Sequence, residues 1–133
     1  MRCGDRILTL QIWDTAGGER FQSLGRAFYR GADCCVIVFD CNRRPTFEKV
    51  EQYKQEFERQ TSDNISSTFP FAICRNKSDL EDENNVISEE QTESLRQKSF
   101  GYNCASFSTS AKVLPISYSK FSSKIEMSVK YVL

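Results

Sequence analysis

Histidine is absent from this chain of 133 residues, and its six cysteines never fall into Cys-x2-Cys spacing. Zinc sites favour short cysteine pairs or Cys/His pairs, so that class of site is excluded. Net charge is absent as well, because 18 basic residues balance 18 acidic ones. Without a global field, neither nucleic acid nor an acidic membrane is an expected partner. The longest apolar runs, such as Val36 to Phe39, are far too short to cross a bilayer. The opening Met1-Arg2-Cys3-Gly4-Asp5 lacks the apolar stretch of a signal peptide. No repeat or domain linker stands out, and the length suits one domain rather than two.

Cys34, Cys35 and Cys74 sit within apolar, strand-like runs. A free cysteine there behaves as a small buried hydrophobe. The expectation is reduced, structural thiols in an intracellular protein rather than a disulfide framework.

Ile7 to Trp13 alternates in part and reads as a strand after a Gly4-Asp5 turn. The continuous apolar run Cys34 to Phe39, bounded by Gly31 and Asp40, has the pattern of a parallel strand covered on both faces. Phe69 to Cys74 repeats that pattern with Pro70 near its start, and Cys104 to Phe107 is a weaker fourth strand. Helical signals lie between the strands. Thr46 is placed to cap a segment in which Phe47, Val50, Tyr53 and Phe57 recur at helical spacing. Ser88 and Gln91 have capping-box spacing, and Gly101 offers a stop. From Ser117 onward, Tyr118, Phe121, Ile125, Val129 and Val132 share one face of a final amphipathic helix. Alternating strands and helices predict an α/β fold with a parallel sheet and right-handed crossovers.

In open α/β sheets, ligands bind beyond the carboxyl ends of the strands. Three polar loops follow that rule: Asp14-Thr15-Ala16-Gly17, Asn76-Lys77-Ser78-Asp79 and Ser110-Ala111-Lys112. Asp14 suits a hydrated Mg2+, which prefers oxygen ligands. Gly17 lets a backbone N–H approach a phosphate. Asp79 offers two acceptor oxygens to the N1–H and amino donors of guanine, a pair that adenine does not present. Asn76 would pin the loop or the base, the Lys77 stem would lie across the ring, and the Ala111 N–H would donate to the guanine carbonyl.

The segments Ile12-Trp13-Asp14-Thr15-Ala16-Gly17, Glu19-Arg20-Phe21 and Phe28-Tyr29-Arg30-Gly31-Ala32-Asp33 resemble switch II of Rab-type small GTPases. Leu8 to Asp40 looks closest to the late-endosomal and vacuolar branch. The match is dense from Asp5 to Asp40, patchy to Asp79 and thin beyond Lys112. The resemblance implies one partial small-GTPase domain over residues 1–133, with a P-loop NTPase-like parallel sheet flanked by helices. It implies GTP or GDP with Mg2+, GTP hydrolysis, and a role in vesicle trafficking. The setting implied is cytoplasmic, at the late endosome or vacuole surface. Asp14 would support Mg2+ and Gly17 would contact the γ-phosphate. Asn76, Lys77 and Asp79 would read guanine, helped by Ser110, Ala111 and Lys112. Trp13 and Phe28 fall where the family displays aromatics to effectors and regulators, although an aromatic at a strand end ordinarily packs in the core.

Four departures follow. The family's Gly-x-x-x-x-Gly-Lys-Ser/Thr loop does not occur, so the fold is expected to lack the first strand, the P-loop and the first helix. Nucleotide binding is expected to be weak or absent, each lost charge-assisted contact being worth about 1.5–3 kcal/mol. Gly18 stands where the family places the glutamine that orients water, so no catalytic residue is assigned and hydrolysis should be very slow. Arg75 replaces a small residue before the base loop, either crowding that loop or pointing to solvent. The ending Lys130-Tyr131-Val132-Leu133 carries no cysteine for a prenyl anchor. The family's first strand would lie between those of Ile7–Trp13 and Cys34–Phe39, so its loss predicts marginal stability. Buried N–H and C=O groups would be unpaired there at about 1–3 kcal/mol each. Two other readings stand beside the GTPase: a non-enzymatic fragment that interacts through switch II, and a degenerate remnant.

Overall fold

A computed structural model of the chain describes residues 2–3, 6–7, 11–14, 29, 31–61, 66, 68–80, 86–113 and 131–132. Its centre is a parallel sheet made from β3 (Cys35–Asp40), β4 (Phe71–Asn76) and β5 (Cys104–Ser108). Helices α1 (Arg44–Glu48) and α2 (Val50–Thr61) connect β3 to β4, and α3 (Glu89–Ser99) precedes β5. This is the expected α/β alternation, with each crossover long enough to carry a helix.

The registers Cys35↔Phe71, Ile37↔Ile73 and Phe39↔Arg75 bring odd-numbered positions onto one face. That face is buried at Cys35, Ile37, Phe39, Phe71 and Ile73, while Val36 and Val38 are only partly covered. Phe57 of α2 fills the hollow above it, 5.8 Å from Phe71 and 6.0 Å from Tyr29, both in edge-to-face geometry. Phe71 in turn meets Phe100 at 5.5 Å. Such pairs add about 0.5–1.5 kcal/mol each beyond their burial.

Local signals explain several boundaries. Ser88 caps α3 with a complete capping box: its hydroxyl accepts from the Gln91 amide, and the Gln91 side chain accepts from the Ser88 amide. The helix ends at Ser99, and Gly101 adopts φ +71°, which glycine tolerates without a Cβ penalty. β4 starts at Phe71 rather than Phe69. Pro70 has no N–H for the ladder, but its carbonyl accepts from Cys35 N at 3.2 Å.

Three expectations are corrected. Thr46 is not a helix cap; it lies inside α1, which begins after Arg43 with proline in its first turn. Its hydroxyl donates to the carbonyls of Arg43 and Asp40 and accepts from Asp40 N, tying α1 to the end of β3. Of the strand expected over Ile7–Trp13, residues 8–10 lie outside the described residues and the two ends differ from the expectation. Ile7 belongs to β2 (Arg6–Ile7), which pairs antiparallel with β1 (Arg2–Cys3), while Ile12 and Trp13 are exposed and outside any strand. A partner a few residues away in sequence closes a short loop at little entropy cost. Finally, Tyr131 and Val132 are not helical. They form β6 (Tyr131–Val132), parallel to β3 with Cys35↔Tyr131 and Val36↔Val132, so the sheet order is β5-β4-β3-β6. Backbone groups along β3 need partners, and β6 supplies them over two residue pairs. The remainder of the expected final helix, residues 117–130, lies outside the described residues, as do most of the 61–68 loop and residues 81–85.

Candidate functional site

Asn76 closes β4, paired in register with Asp40, and Lys77 then turns the chain in the left-handed region at φ +63°. A residue with a Cβ is disfavoured there by about 1–2 kcal/mol, so the neighbouring bonds must hold the turn. Leu80 N and Asn42 Nδ2 both donate to the Lys77 carbonyl, at 3.0 and 3.2 Å.

The loop after β5 fastens onto this turn. Thr109 N donates to the Arg75 carbonyl at 2.9 Å, continuing the β4–β5 pairing past the strand end. Both the amide and the hydroxyl of Ser78 donate to the Thr109 carbonyl, at 3.1 and 3.0 Å. The Thr109 hydroxyl donates to Asn76 Oδ1 at 3.2 Å, so Asn76 pins the loop. Ser110 Oγ donates to Asp79 Oδ1 at 2.6 Å and accepts from the amides of Lys112 and Val113. Asp79 and Ala111 are exposed, and among the described residues no hydrogen bond occupies Asp79 Oδ2 or the Ala111 N–H. The arrangement therefore presents an acceptor oxygen and a backbone donor beside one another at the carboxyl edge of the sheet.

Lys77 Nζ lies 2.7 Å from Asp40 Oδ2, across the end of β3. Asn42 N donates to the other oxygen, Asp40 Oδ1, at 2.9 Å. Burial works against ionisation of Asp40, but the bonds from Lys77 and Asn42 outweigh it and hold the carboxyl below the usual range.

Arg75 neither crowds the base loop nor points to solvent. It is buried, 4% exposed, with Nε donating to the Ile87 carbonyl at 2.6 Å and Nη1 to Ser108 Oγ at 3.4 Å.

Of the first loop only Asp14 lies among the described residues. It is exposed, and no described hydrogen bond or ion pair links it to the other two loops. Gly17, Gly18 and Phe28 fall outside the described residues. No group of three His, Cys, Asp or Glu among the described residues could hold a metal ion. Among the described residues, Cys34, Cys35, Cys41, Cys74 and Cys104 are free thiols. Burial pushes Cys34 and Cys74 up to about 11 and Cys104 up to about 12, so they remain protonated at neutral pH.

The sequence reading missed Asp40, Asn42 and Thr109. Asp40 had a visible signal, since it ends an apolar strand at the ligand edge. Thr109 had none, because its role depends on the register between β4 and β5.

The description "Ras family" matches residues 1–127 of the chain. A Ypt/Rab-type GTPase of Saccharomyces cerevisiae, YPT7, is 49% identical over 109 residues, which are 82% of this chain and 51% of that protein. The Ras-related protein RABG3f of Arabidopsis thaliana is 50% identical over 82% of this chain and 52% of its own length. The Ras-related protein Rab-7a of Dictyostelium discoideum is 49% identical over 81% of this chain and 52% of its own length. The chain thus spans about half the length of the curated relatives it matches.

Proposed function

The chain belongs to the Ras family, and from that premise we propose that it carries the guanine-reading end of a Rab-type small GTPase acting in vesicle trafficking. The observation that carries this reading is the fastening of the 76–79 loop to the 109–113 loop through Ser110 and Thr109. Asp79 then receives the N1–H and amino group of guanine on its carboxylate, and Ala111 N–H donates to the carbonyl oxygen. Adenine offers neither half of that pattern, so selectivity follows from the unpaired groups it would leave. The Asp40 pair steadies the Lys77 ammonium and leaves the methylene stem as an apolar bed for the purine. Lys112, exposed after Ala111, flanks the base from the second loop.

The phosphate end rests on less. Asp14 is the proposed carboxylate for Mg2+ and Gly17 the proposed γ-phosphate contact, but a lone exposed carboxylate does not hold the ion by itself. Oxygen ligands from outside the described residues would have to complete the shell. With Gly18 at the water-orienting position, hydrolysis is expected to be very slow. The proposed setting is cytoplasmic, at the surface of the late endosome or vacuole.

The test uses the base alone. Guanosine at millimolar concentration should shift the backbone amide resonances of Asp79 and Ala111, adenosine should not, and Asp79→Ala should abolish the response. No shift with guanosine, or equal shifts with both nucleosides, would overturn the reading.

A second reading, a non-enzymatic interaction fragment, is favoured by the exposure of Ile12 (62%) and Trp13 (42%). Aromatic and aliphatic groups exposed side by side suit a protein contact. Binding to Rab regulators or effectors that survives Trp13→Ala unchanged would count against it.

A further inference from the structure

We infer that Arg75 is a positioning residue for the guanine-reading loop, clamping the end of β4 to the start of α3 and to the end of β5. The inference rests on the proposed function for its ligand, but the ordering it describes does not need nucleotide.

On the buried face of β4, Phe71 and Ile73 are followed by Arg75. Two apolar side chains and then a buried guanidinium is a costly sequence, since a buried charge must be paired and hydrogen-bonded. The structure shows what the charge is used for. Nε takes the Ile87 carbonyl, and Ile87 N itself donates to the Cys41 carbonyl at 2.8 Å, just past the end of β3. Nη1 donates to Ser108 Oγ, whose hydroxyl in turn donates to Glu89 Oε1 at 2.6 Å. One planar group therefore ties together the segment before α3 and the last residue of β5. A cation near a helix N-terminus opposes the helix dipole, and Glu89 and Glu90 in the first turn of α3 offset it.

The position matters because Arg75 is bonded on both sides of the candidate site. Its carbonyl receives Thr109 N, and the next residue, Asn76, receives the Thr109 hydroxyl. Fixing Arg75 against Ile87 and Ser108 fixes the height of Thr109 relative to Asn76, and through the Thr109 carbonyl the amide of Ser78. Asp79 and Ser110 follow directly from these two residues. A lysine at 75 could serve one of the two acceptors, because only the guanidinium fork reaches both in one plane.

Amide hydrogen exchange on the whole chain tests this. Arg75→Met keeps an apolar stem that reaches to about the position of Nε and removes every donor. It should speed exchange at Ser78 and Thr109 by about tenfold or more, the scale of one weakened hydrogen bond. Cys35 at the far end of β3 and Phe100 at the end of α3 serve as reference amides and should change much less. Arg75→Lys should recover part of the protection, and Ser108→Ala should loosen Thr109 more than Ser78. Equal acceleration at all four amides would reduce Arg75 to general stability and overturn the inference, as would no change. If Arg75→Met does not fold, Ser108→Ala decides, and a uniform or absent effect there is equally fatal. Wild-type chain that shows this pattern but ignores guanosine would sink the nucleotide reading and leave the clamp standing.

Discussion

Lys77 and Asp40 form an ion pair of 2.7 Å that joins the turn after β4 to the last residue of β3. The lysine is half exposed and the aspartate nearly buried, so the pair is partly screened and worth no more than about 1 kcal/mol. Its effect is chiefly geometric. It holds a side chain over the site on a backbone that already sits in the left-handed region.

Asp40→Asn should flatten the acid limb of the stability profile. The folded-state pKa of Asp40 is depressed, so its contribution is fully present above the unfolded value of 3.8 and is lost as pH falls through the lower folded value. Thermal melts between pH 2 and 6 check this, with wild type losing more than the variant on acidification.

Ser110→Ala removes the donor to Asp79 and the acceptor of two amides. The site is exposed, so global stability should fall by only about 0.5–1.5 kcal/mol. Guanosine-induced shifts at Asp79 should weaken more than the melting midpoint does. Intact shifts with a lowered midpoint would contradict the positioning role of Ser110.

Phe57→Ala empties a fully buried site bounded by Tyr29, Phe69 and Phe71. The expected loss is about 3–5 kcal/mol, enough to abolish the cooperative transition of a marginal domain. Denaturant unfolding followed by circular dichroism is the check.

Ser88→Ala removes one side of the α3 capping box and should cost about 1 kcal/mol. The loss should appear as a lower denaturation midpoint at an unchanged slope, because the surface exposed on unfolding is the same.

Cys34, Cys74 and Cys104 should resist alkylation in the native state at pH 8 and react once the chain is unfolded. Their pKa values are raised by burial, so the associated stability is fully present below the ordinary thiol value of 9.0. It is lost as pH rises towards 11–12. Mass spectrometry of labelled chain, with and without denaturant, counts the protected thiols.

Much of the fold was legible because short apolar runs bounded by polar turns have few alternatives. The runs ending in Phe39 and Cys74 became β3 and β4, each extended to the polar residue that closes it. The capping box at Ser88 and the stop at Gly101 are local chemistry, and both hold. Thr46 failed because a hydroxyl able to cap a helix is equally able to bond a strand end six residues earlier. Ile7 pairs within a two-residue strand and Tyr131–Val132 pair with β3, because strand pairing depends on which neighbour offers its backbone.

Sequence by itself determined the alternation of strands and helices and singled out Asn76, Lys77, Asp79, Ser110, Ala111 and Lys112 as candidates for reading guanine. These follow from side-chain chemistry and local spacing. Only tertiary structure decided that Asn76 meets Thr109, that Asp79 meets Ser110 and that Arg75 turns inward to Ile87 and Ser108. Those meetings depend on the register of two parallel strands about thirty residues apart, set by backbone hydrogen bonds that residue identity does not encode.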